Sequence, residues 1–336
     1  MSYGKFKNTK PKGLSGVKPE AVYCHQTARY YESIGNLVDG ASAIAKHLKI
    51  SDMVIGLTII SIGTSSPEMF VNLIAASKGT TDLALGNIIG SNIANVFLVL
   101  GITAAICPVA VSGRTMKREL PFSILAAVLL GIMANDVILR GVGSSVVSRI
   151  DGIILFLLFN VFLLFLFKSA KRDQTYDAKY AIPGLSVPKS LIMILLGLAG
   201  LSLGSDWIVD GAIEIARIIG ISEKTIGLTI VAFGTSLPEL AASAAAALKK
   251  NVDLAVGNVI GSNIFNVFLI LGMSSIIRPL PVKGSMNIDI TVMFAAHLFI
   301  LLFLFTGRRK IIDRWEGIVM FIIYLGYIAF LFVVNS

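Results

Sequence analysis

The chain has 336 residues, of which 55% are hydrophobic and 15% are charged, and its net charge is +9. A mean hydropathy of +0.82 excludes an ordinary soluble domain. The Lys and Arg residues lie in short segments between long apolar stretches, which excludes a nucleic-acid-binding surface and is typical of a protein that crosses a membrane many times.

Nine stretches are apolar over the length of about 20 residues that a helix needs to span a bilayer. In chain order they cover residues 52–77, 83–107, 119–138, 150–168, 188–216, 223–248, 254–277, 287–306 and 315–334. Residues 1–36 are polar and basic without the apolar core of a signal peptide, and residues 169–187 form a polar loop. The sequence therefore predicts an all-α polytopic membrane protein with about nine membrane helices.

The second half of the chain repeats the first. Adding 171 to each residue number aligns residues 37–108 with the second half without a gap. Asp82–Gly101 and Asp253–Gly272 share 16 of 20 residues, and a weaker similarity pairs the segments that begin at Arg149 and Arg314. The predicted repeats cover residues 37–168 and 188–336, with their most similar motifs at 56–101 and 227–272.

The two repeats are predicted to have opposite orientations in the membrane. Each helix and its copy are separated by five membrane crossings, and because this number is odd the two copies run in opposite directions. Inverted repeats with interrupted helices are typical of secondary transporters. Alternate loops hold 14 basic residues against 7 in the opposite loops, which predicts a cytoplasmic N-terminus and an external C-terminus for nine spans. Residues 17–36 align with a membrane helix of the second repeat but are polar, so the first helix of the first repeat is missing. This break predicts an altered N-terminus.

Each repeat places polar residues inside apolar segments. A membrane carboxylate costs roughly 2.5–3.5 kcal/mol on insertion scales, so a pair at matched positions indicates a functional site. Pro67 and Pro238 lack an amide hydrogen, and carbonyl groups one turn earlier are expected to become available to a cation. Carboxylate, hydroxyl and amide oxygens without thiolate or imidazole suit Ca²⁺ or Na⁺. The candidate side chains are Ser61, Thr64, Ser65, Glu68, Ser91 and Asn95, with Thr235, Ser236, Glu239, Ser262 and Asn266.

Other polar residues have simpler interpretations. Asp82 and Asp253 begin predicted helices and are expected to cap them. His297 lies in an apolar helix without an acidic partner and is interpreted as a packing residue. A single Gly-Thr-Ser motif would indicate only a helix kink, and it is the duplication of the motif that favours a cation site.

At these motifs the sequence resembles the prokaryotic type of the sodium/calcium exchanger family, within the cation/calcium antiporter superfamily. The resemblance covers residues 37–336 and rests on "GTSSPE" with "GNIIGSNIANVF" and "GTSLPE" with "GNVIGSNIFNVF". It implies ten helices in two inverted sets of five around four ion sites. It also implies acidic ligands at Glu68 and Glu239, amide ligands at Asn95 and Asn266, hydroxyl or carbonyl ligands at Thr64, Ser65, Ser91, Thr235, Ser236 and Ser262, and backbone carbonyl ligands at Ser61 and Ala232.

The resemblance implies an antiporter of the cell membrane that exchanges Na⁺ for Ca²⁺ by alternating access. Two carboxylates balance one Ca²⁺ but not three Na⁺, which is the usual number in the family, so exchange is expected to be electrogenic. Some relatives that use potassium carry Asp at the position of Asn266, and its Asn predicts independence of K⁺. The expected partners are these ions and the bilayer, with no cofactor, enzymatic activity, nucleic acid or protein partner.

Three alternatives to sodium/calcium exchange remain open. A proton/calcium or other cation antiporter would move Ca²⁺ with a pH gradient and without Na⁺. A passive channel would conduct without coupling to either gradient. A non-transporting homologue could result from the altered N-terminal segment, because the missing helix moves beside the ion site in relatives.

Overall fold

Apolar helices make up almost all of the computed structural model, which describes residues 35–135, 145–172, 185–218, 232–308 and 310–335. The helices are α1 (35–48), α2 (Asp52–Thr64), α3 (Ser66–Lys78), α4 (Thr81–Ile106), α5 (Gly113–Met133), α6 (Arg149–Arg172), α7 (Val187–Ile218), α8 (Ala232–Thr235), α9 (Leu237–Leu248), α10 (Val252–Ile277), α11 (Met286–Phe305) and α12 (Arg314–Asn335). Four strands of two residues each are β1 (Val109–Ala110), β2 (Val146–Val147), β3 (Leu280–Pro281) and β4 (Ile311–Ile312).

Six helices in the described ranges are long and apolar enough to cross a membrane, namely α4, α6, α7, α10, α11 and α12. The predicted span 52–77 is instead a pair of helices, α2 and α3, bent by 49°. The predicted span 119–138 begins earlier, at Gly113, and its first turns carry charged residues such as Lys117 and Arg118. The predicted span 223–248 lies partly outside the described residues. The all-helical membrane fold is confirmed, whereas the count of nine spans stays a prediction.

Helices α4 and α10 form the centre of the molecule. The apolar window of α4 is 83% buried and that of α10 is 94% buried, whereas the window of α12 is only 22% buried. Both central helices widen into a π-helical segment at matching positions, Asn95–Leu100 and Phe265–Leu271. π-helical turns interrupt regular α-helical hydrogen bonding and occur frequently at functional sites. The matched pair therefore makes the centre of α4 and α10 a candidate functional region.

Contacts between the two repeats are reciprocal. Strand β1 pairs with β4, and β3 pairs with β2. The end of α4 packs against α12, and the end of α10 packs against α6. In both crossings glycines let the backbones touch: Gly101 lies against Gly317, and Gly272 lies against Gly152. Each repeat therefore ends in a helix that packs on the other repeat, as small residues allow in membrane proteins.

The first helices of the two repeats differ in their surroundings. Leu37 and Ile44 of α1 are 0% and 3% exposed, and they pack in one cluster with Ala242 of α9. Their copies in α7, Ile208 and Ile215, are 49% and 63% exposed. Repeats of similar sequence thus have one first helix that is docked and one whose matching face is open.

Helix α1 is also held by polar contacts at the end of α9. Lys249 forms an ion pair with Asp39 and donates to the Gly35 carbonyl at 3.0 Å. Asn251 Nδ2 donates to Ser42 Oγ at 2.9 Å. The equivalent residues of the other repeat, Lys78 and Asp210, form no ion pair within the described residues. The polar contacts therefore follow the same asymmetry as the apolar ones.

The reciprocal glycine contacts lead to a test of the fold. A Cβ atom at Gly317 would lie 2.5 Å from the Gly101 carbonyl oxygen and 2.7 Å from the Ala105 nitrogen, whereas a Cβ atom at Gly326 on the same helix meets nothing within 4 Å. Gly317→Val is therefore expected to destabilise the protein by about 1–3 kcal/mol through overpacking. Thermal unfolding in detergent should show a lower melting temperature for Gly317→Val than for the control Gly326→Val. Equal melting temperatures would contradict this close helix crossing.

Candidate cation-binding site

Two helix breaks position the acidic residues. Helix α2 ends at Thr64 and α3 begins at Ser66, with Ser65 between them at φ −84° and ψ 6°. The second repeat breaks in the same way at Ser236, at φ −89° and ψ 2°. A proline follows two residues after each break and cannot donate to the preceding turn, which explains why the chain bends here. The breaks place both acidic side chains in the first turn of a new helix.

Glu68 and Glu239 are buried, with 2% and 1% of their surfaces exposed. Ser65 Oγ of the first repeat donates to Glu239 Oε1 of the second at 2.8 Å and lies 3.0 Å from Ser262 Oγ. The structure therefore brings Ser65, Glu239 and Ser262 together across the repeat interface, as expected for one shared site.

Six of the twelve predicted ligands have a buried side-chain oxygen atom without a hydrogen-bond partner among the described residues. The side chain of Thr235 lies near Glu68, but neither carboxylate oxygen of Glu68 has a hydrogen bond of good geometry to a described residue. Each unpaired buried polar group costs about 1–3 kcal/mol, so such a cluster needs an explanation. Among the other predicted ligands, the unpartnered oxygens are Ser91 Oγ, Asn95 Oδ1, Ser236 Oγ, Glu239 Oε2 and Asn266 Oδ1.

A hard cation fits this set of atoms. Every unpartnered atom just named is an oxygen, and carboxylate, hydroxyl and amide oxygens are the ligands that Ca²⁺ takes in proteins. The described residues contain no group of three or more His, Cys, Asp or Glu side chains suited to a metal ion, so the site does not resemble a zinc centre. A cation with a large, flexible shell of neutral oxygens and two carboxylates is the best match.

Other predicted ligands use their side chains for structure. Ser61 Oγ donates to the Gly56 carbonyl at 2.6 Å and lies 3.0 Å from the Asn258 carbonyl oxygen. Its hydroxyl is therefore occupied, and its backbone carbonyl, the predicted ligand, already accepts a hydrogen bond from the Ser65 amide at 2.9 Å. Ala232, its copy, begins α8 and can offer only a backbone carbonyl. Helix α2 can approach α10 closely because Gly56 has no Cβ atom. A Cβ atom at this position would lie 2.6 Å from the Leu254 carbonyl oxygen.

Sequence analysis missed two buried asparagines, Asn87 and Asn258. Thr64 Oγ1 donates to Asn258 Oδ1 at 3.2 Å, and its copy Thr235 Oγ1 donates to Asn87 Oδ1 at 3.4 Å. The spacing of four residues from Asn87 to Ser91, repeated from Asn258 to Ser262, places each asparagine on the helix face of a predicted ligand. This helical spacing is the sequence signal that could have identified the two asparagines.

Two further predictions need correction. The N-cap of α10 is Asn251, whose side chain accepts a hydrogen bond from the Leu254 amide at 3.2 Å, so capping by Asp253 is wrong. Thr80 precedes α4 as its N-cap residue, while Asp82 forms an ion pair with Lys283 at 2.6 Å.

His297 is buried, as a packing residue should be, but it also belongs to a polar network. Its Nε2 lies 3.1 Å from Ser123 Oγ and 3.3 Å from Asn263 Nδ2. The ring therefore links α11 to α5 and α10. A buried polar side chain with several partners stabilises one arrangement of neighbouring helices.

Known proteins resemble this chain over most of its length. A family model described as sodium/calcium exchanger protein matches residues 33–168 and 189–333. The putative antiporter CaxA of Alkalimonas amylolytica is 42% identical over 307 residues, covering 89% of this chain and 94% of that protein. The sodium/calcium exchanger MaX1 of Methanosarcina acetivorans is 33% identical over 330 residues, covering 88% of this chain and 93% of that one.

A solved structure also matches the fold. The sodium-calcium exchanger NCX_Mj, soaked with 10 mM Na⁺ and 10 mM Sr²⁺, superposes with a TM-score of 0.75 at 36% sequence identity. The match covers 92% of this chain and 97% of that chain. The likeness therefore includes both repeats and the region of the two buried carboxylates.

The unpartnered carboxylate leads to a binding test that needs no transport. Glu68→Gln is expected to leave the melting temperature of the ion-free protein unchanged or raised, since it removes a buried charge. A ligand at 100 times its Kd stabilises a protein by about 2.7 kcal/mol, and the variant should lose this effect for Ca²⁺. Melting in detergent with and without Ca²⁺ measures both effects. The exposed Glu214→Gln is the control, and normal stabilisation of Glu68→Gln by Ca²⁺ would remove Glu68 from the site.

Proposed function

The chain belongs to the sodium/calcium exchanger family of membrane antiporters, and we propose that it exchanges Na⁺ for Ca²⁺ across the membrane. The main support is the pair of buried acidic residues, Glu68 and Glu239, one from each repeat. They lie among unpartnered oxygens, and Ser65 of the first repeat donates a hydrogen bond to Glu239 of the second. A buried carboxylate without a positive partner is stable only when a cation or a proton neutralises it.

Competition for one site accounts for coupling. Ca²⁺ and Na⁺ both accept oxygen ligands, so a site that either ion can fill moves one in exchange for the other. Two carboxylates balance the charge of one Ca²⁺, whereas three Na⁺ would leave one net positive charge. Exchange of three Na⁺ for one Ca²⁺ therefore moves charge through the membrane and responds to the membrane potential. Mg²⁺ is disfavoured because it needs a tight octahedral shell and loses water reluctantly.

Alternating access is supported by the unequal surroundings of α1 and α7. The docked face of α1 closes one approach to the site, and the open face of α7 leaves the equivalent approach free. In inverted repeats the two approaches lie on opposite sides of the membrane, so exchanging the two arrangements would expose the site to the other side. We place the loop of Lys249 and Lys250 in the cytoplasm, because basic residues concentrate in such loops.

Proton coupling is the second candidate. A proton is the other cation that can neutralise a buried carboxylate such as Glu68 or Glu239 when no metal ion is bound. A proton could then replace Na⁺ as the exchanged ion. The two functions differ in which gradient drives Ca²⁺, and this difference can be measured directly.

A flux experiment tests the proposed exchange. In proteoliposomes loaded with Na⁺, the wild type should take up ⁴⁵Ca²⁺ when diluted into medium without Na⁺, and a membrane potential that is positive inside should change the rate. Glu239→Gln should abolish uptake, because it removes half of the site's charge, while the exposed control Glu214→Gln should not. Uptake driven by a pH gradient and independent of Na⁺ would replace this proposal with proton/calcium exchange.

Asn266 gives a prediction about ion selectivity. Its Oδ1 atom is buried and unpartnered among the described residues, and an Asp would add a third carboxylate to the site. Asn266→Asp is expected to change the number of Na⁺ ions exchanged per Ca²⁺ or to introduce dependence on K⁺. Counting ²²Na⁺ and ⁴⁵Ca²⁺ movement with and without K⁺ measures this, and Asn95→Asp is the matched change in the other repeat. Identical stoichiometry and no response to K⁺ would exclude Asn266 as a ligand.

A further inference from the structure

Asn258 is a side chain of a third helix that bridges the two broken helices. It lies on α10 and is 1% exposed. Its Oδ1 accepts a hydrogen bond from Thr64 Oγ1 at 3.2 Å, at the end of α2. Its Nδ2 donates to the Glu239 carbonyl at 3.3 Å and to Ser243 Oγ at 3.0 Å, both on α9. Because a carbonyl can only accept, the Glu239 contact fixes which way the amide points.

The copy of Asn258 in the first repeat does not make the same connection. Asn87 accepts a hydrogen bond from Thr235 at 3.4 Å, but its Nδ2 has no partner among the described residues. The Glu68 carbonyl accepts instead from Asn72 Nδ2, four residues later in the same helix, at 2.7 Å. Residue 243, which corresponds to Asn72, is a serine. The Glu68 carbonyl thus accepts a side-chain hydrogen bond from its own helix, α3, whereas the Glu239 carbonyl accepts one from α10.

We infer that Asn258 is a positioning residue that fixes the separation between Thr64 and Glu239 across the cation site. This inference rests on the proposed function, since it concerns the ligands of the transported ion. Asn258 uses both polar atoms of its side chain to bond protein groups. It acts on two predicted ligands at once, one from each repeat, so it sets the width of the site between α2 and α9.

Glu239 lies in the first turn of α9. The N–H groups of a helix's first turn lack intrahelical acceptors, so this turn is less firmly held than the middle of the helix, and a bond to the Glu239 carbonyl from outside the helix adds to what holds it. The Asn258 amide supplies a tie to this turn, and the hydroxyl of Thr64 supplies the tie on the opposite side. Partners that orient metal ligands typically contribute 10–100-fold in metal affinity.

Paired substitutions test this inference. Asn258→Leu keeps the branching at the γ atom but removes all three hydrogen bonds, and it should raise the KM for Ca²⁺ by about 10–100-fold with a much smaller change in maximal rate. Asn87→Leu is the matched control and should change the KM by less, because Asn87 has one contact and no tie to the Glu68 carbonyl. Both are measured as ⁴⁵Ca²⁺ flux in proteoliposomes and as the Ca²⁺-induced rise in melting temperature.

A rescue variant separates positioning from general damage to the fold. Ser243→Asn places an amide four residues after Glu239, in the relation that Asn72 has to Glu68, so it can donate to the Glu239 carbonyl. Adding Ser243→Asn to Asn258→Leu should therefore recover most of the lost Ca²⁺ affinity. If Asn258→Leu does not fold, Asn258→Asp keeps the acceptor for Thr64 while removing the donor, and its KM should likewise be restored by Ser243→Asn.

The outcomes distinguish this inference from the proposed function. Equal KM changes for Asn258→Leu and Asn87→Leu, or no recovery with Ser243→Asn, would overturn the positioning role while wild-type exchange remained intact. Absence of Ca²⁺ flux and of Ca²⁺-induced stabilisation in the wild type would instead overturn the proposed function. A wild type that moves Ca²⁺ with protons would still test Asn258, because the KM for Ca²⁺ is measured in the same way.

Discussion

Two carboxylates buried in the centre of a membrane protein are the constraint on which the rest of the structure depends. No ion pair reaches Glu68 or Glu239 from the described residues, and only one of their four oxygens has a hydrogen bond of good geometry there. Carboxylate groups in such surroundings are unstable without a cation or a proton. The neighbouring hydroxyl and amide oxygens of Ser91, Asn95, Ser236 and Asn266 are also unpartnered among the described residues.

The helices bring these groups together through departures from regular structure. Breaks at Ser65 and Ser236 allow each acidic residue to begin a new helix, and glycine contacts such as Gly56 against α10 allow backbones to touch. Each departure costs hydrogen bonds or packing in an isolated helix. The reciprocal contacts between the repeats offset this cost, because each repeat supplies the surface that the other lacks.

Sequence reasoning predicted the repeats, the oxygen-rich clusters and the membrane fold, because these depend on local residue patterns. It did not predict the bend at Ser65 as a division into two helices, since a continuous apolar run gives the same hydropathy with or without a break. It also missed Asn87 and Asn258, whose partners Thr235 and Thr64 are more than 140 residues away in the chain. The spacing of four residues to Ser91 and Ser262 indicates the two positions, but their hydrogen-bond partners depend on how the repeats cross.

The similarity of the two repeats has a thermodynamic consequence. Two first helices of similar sequence occupy different environments in one molecule, one docked and one with its matching face exposed. If their roles were exchanged, part of the packing that one repeat gives up would be replaced by the corresponding packing of the other. Duplication therefore lowers the difference in free energy between the two arrangements, and with it the differential affinity that the bound ion needs to change their populations. Any intrinsic preference between the two states must come from positions where the copies diverge, such as Ser243 and Asn72.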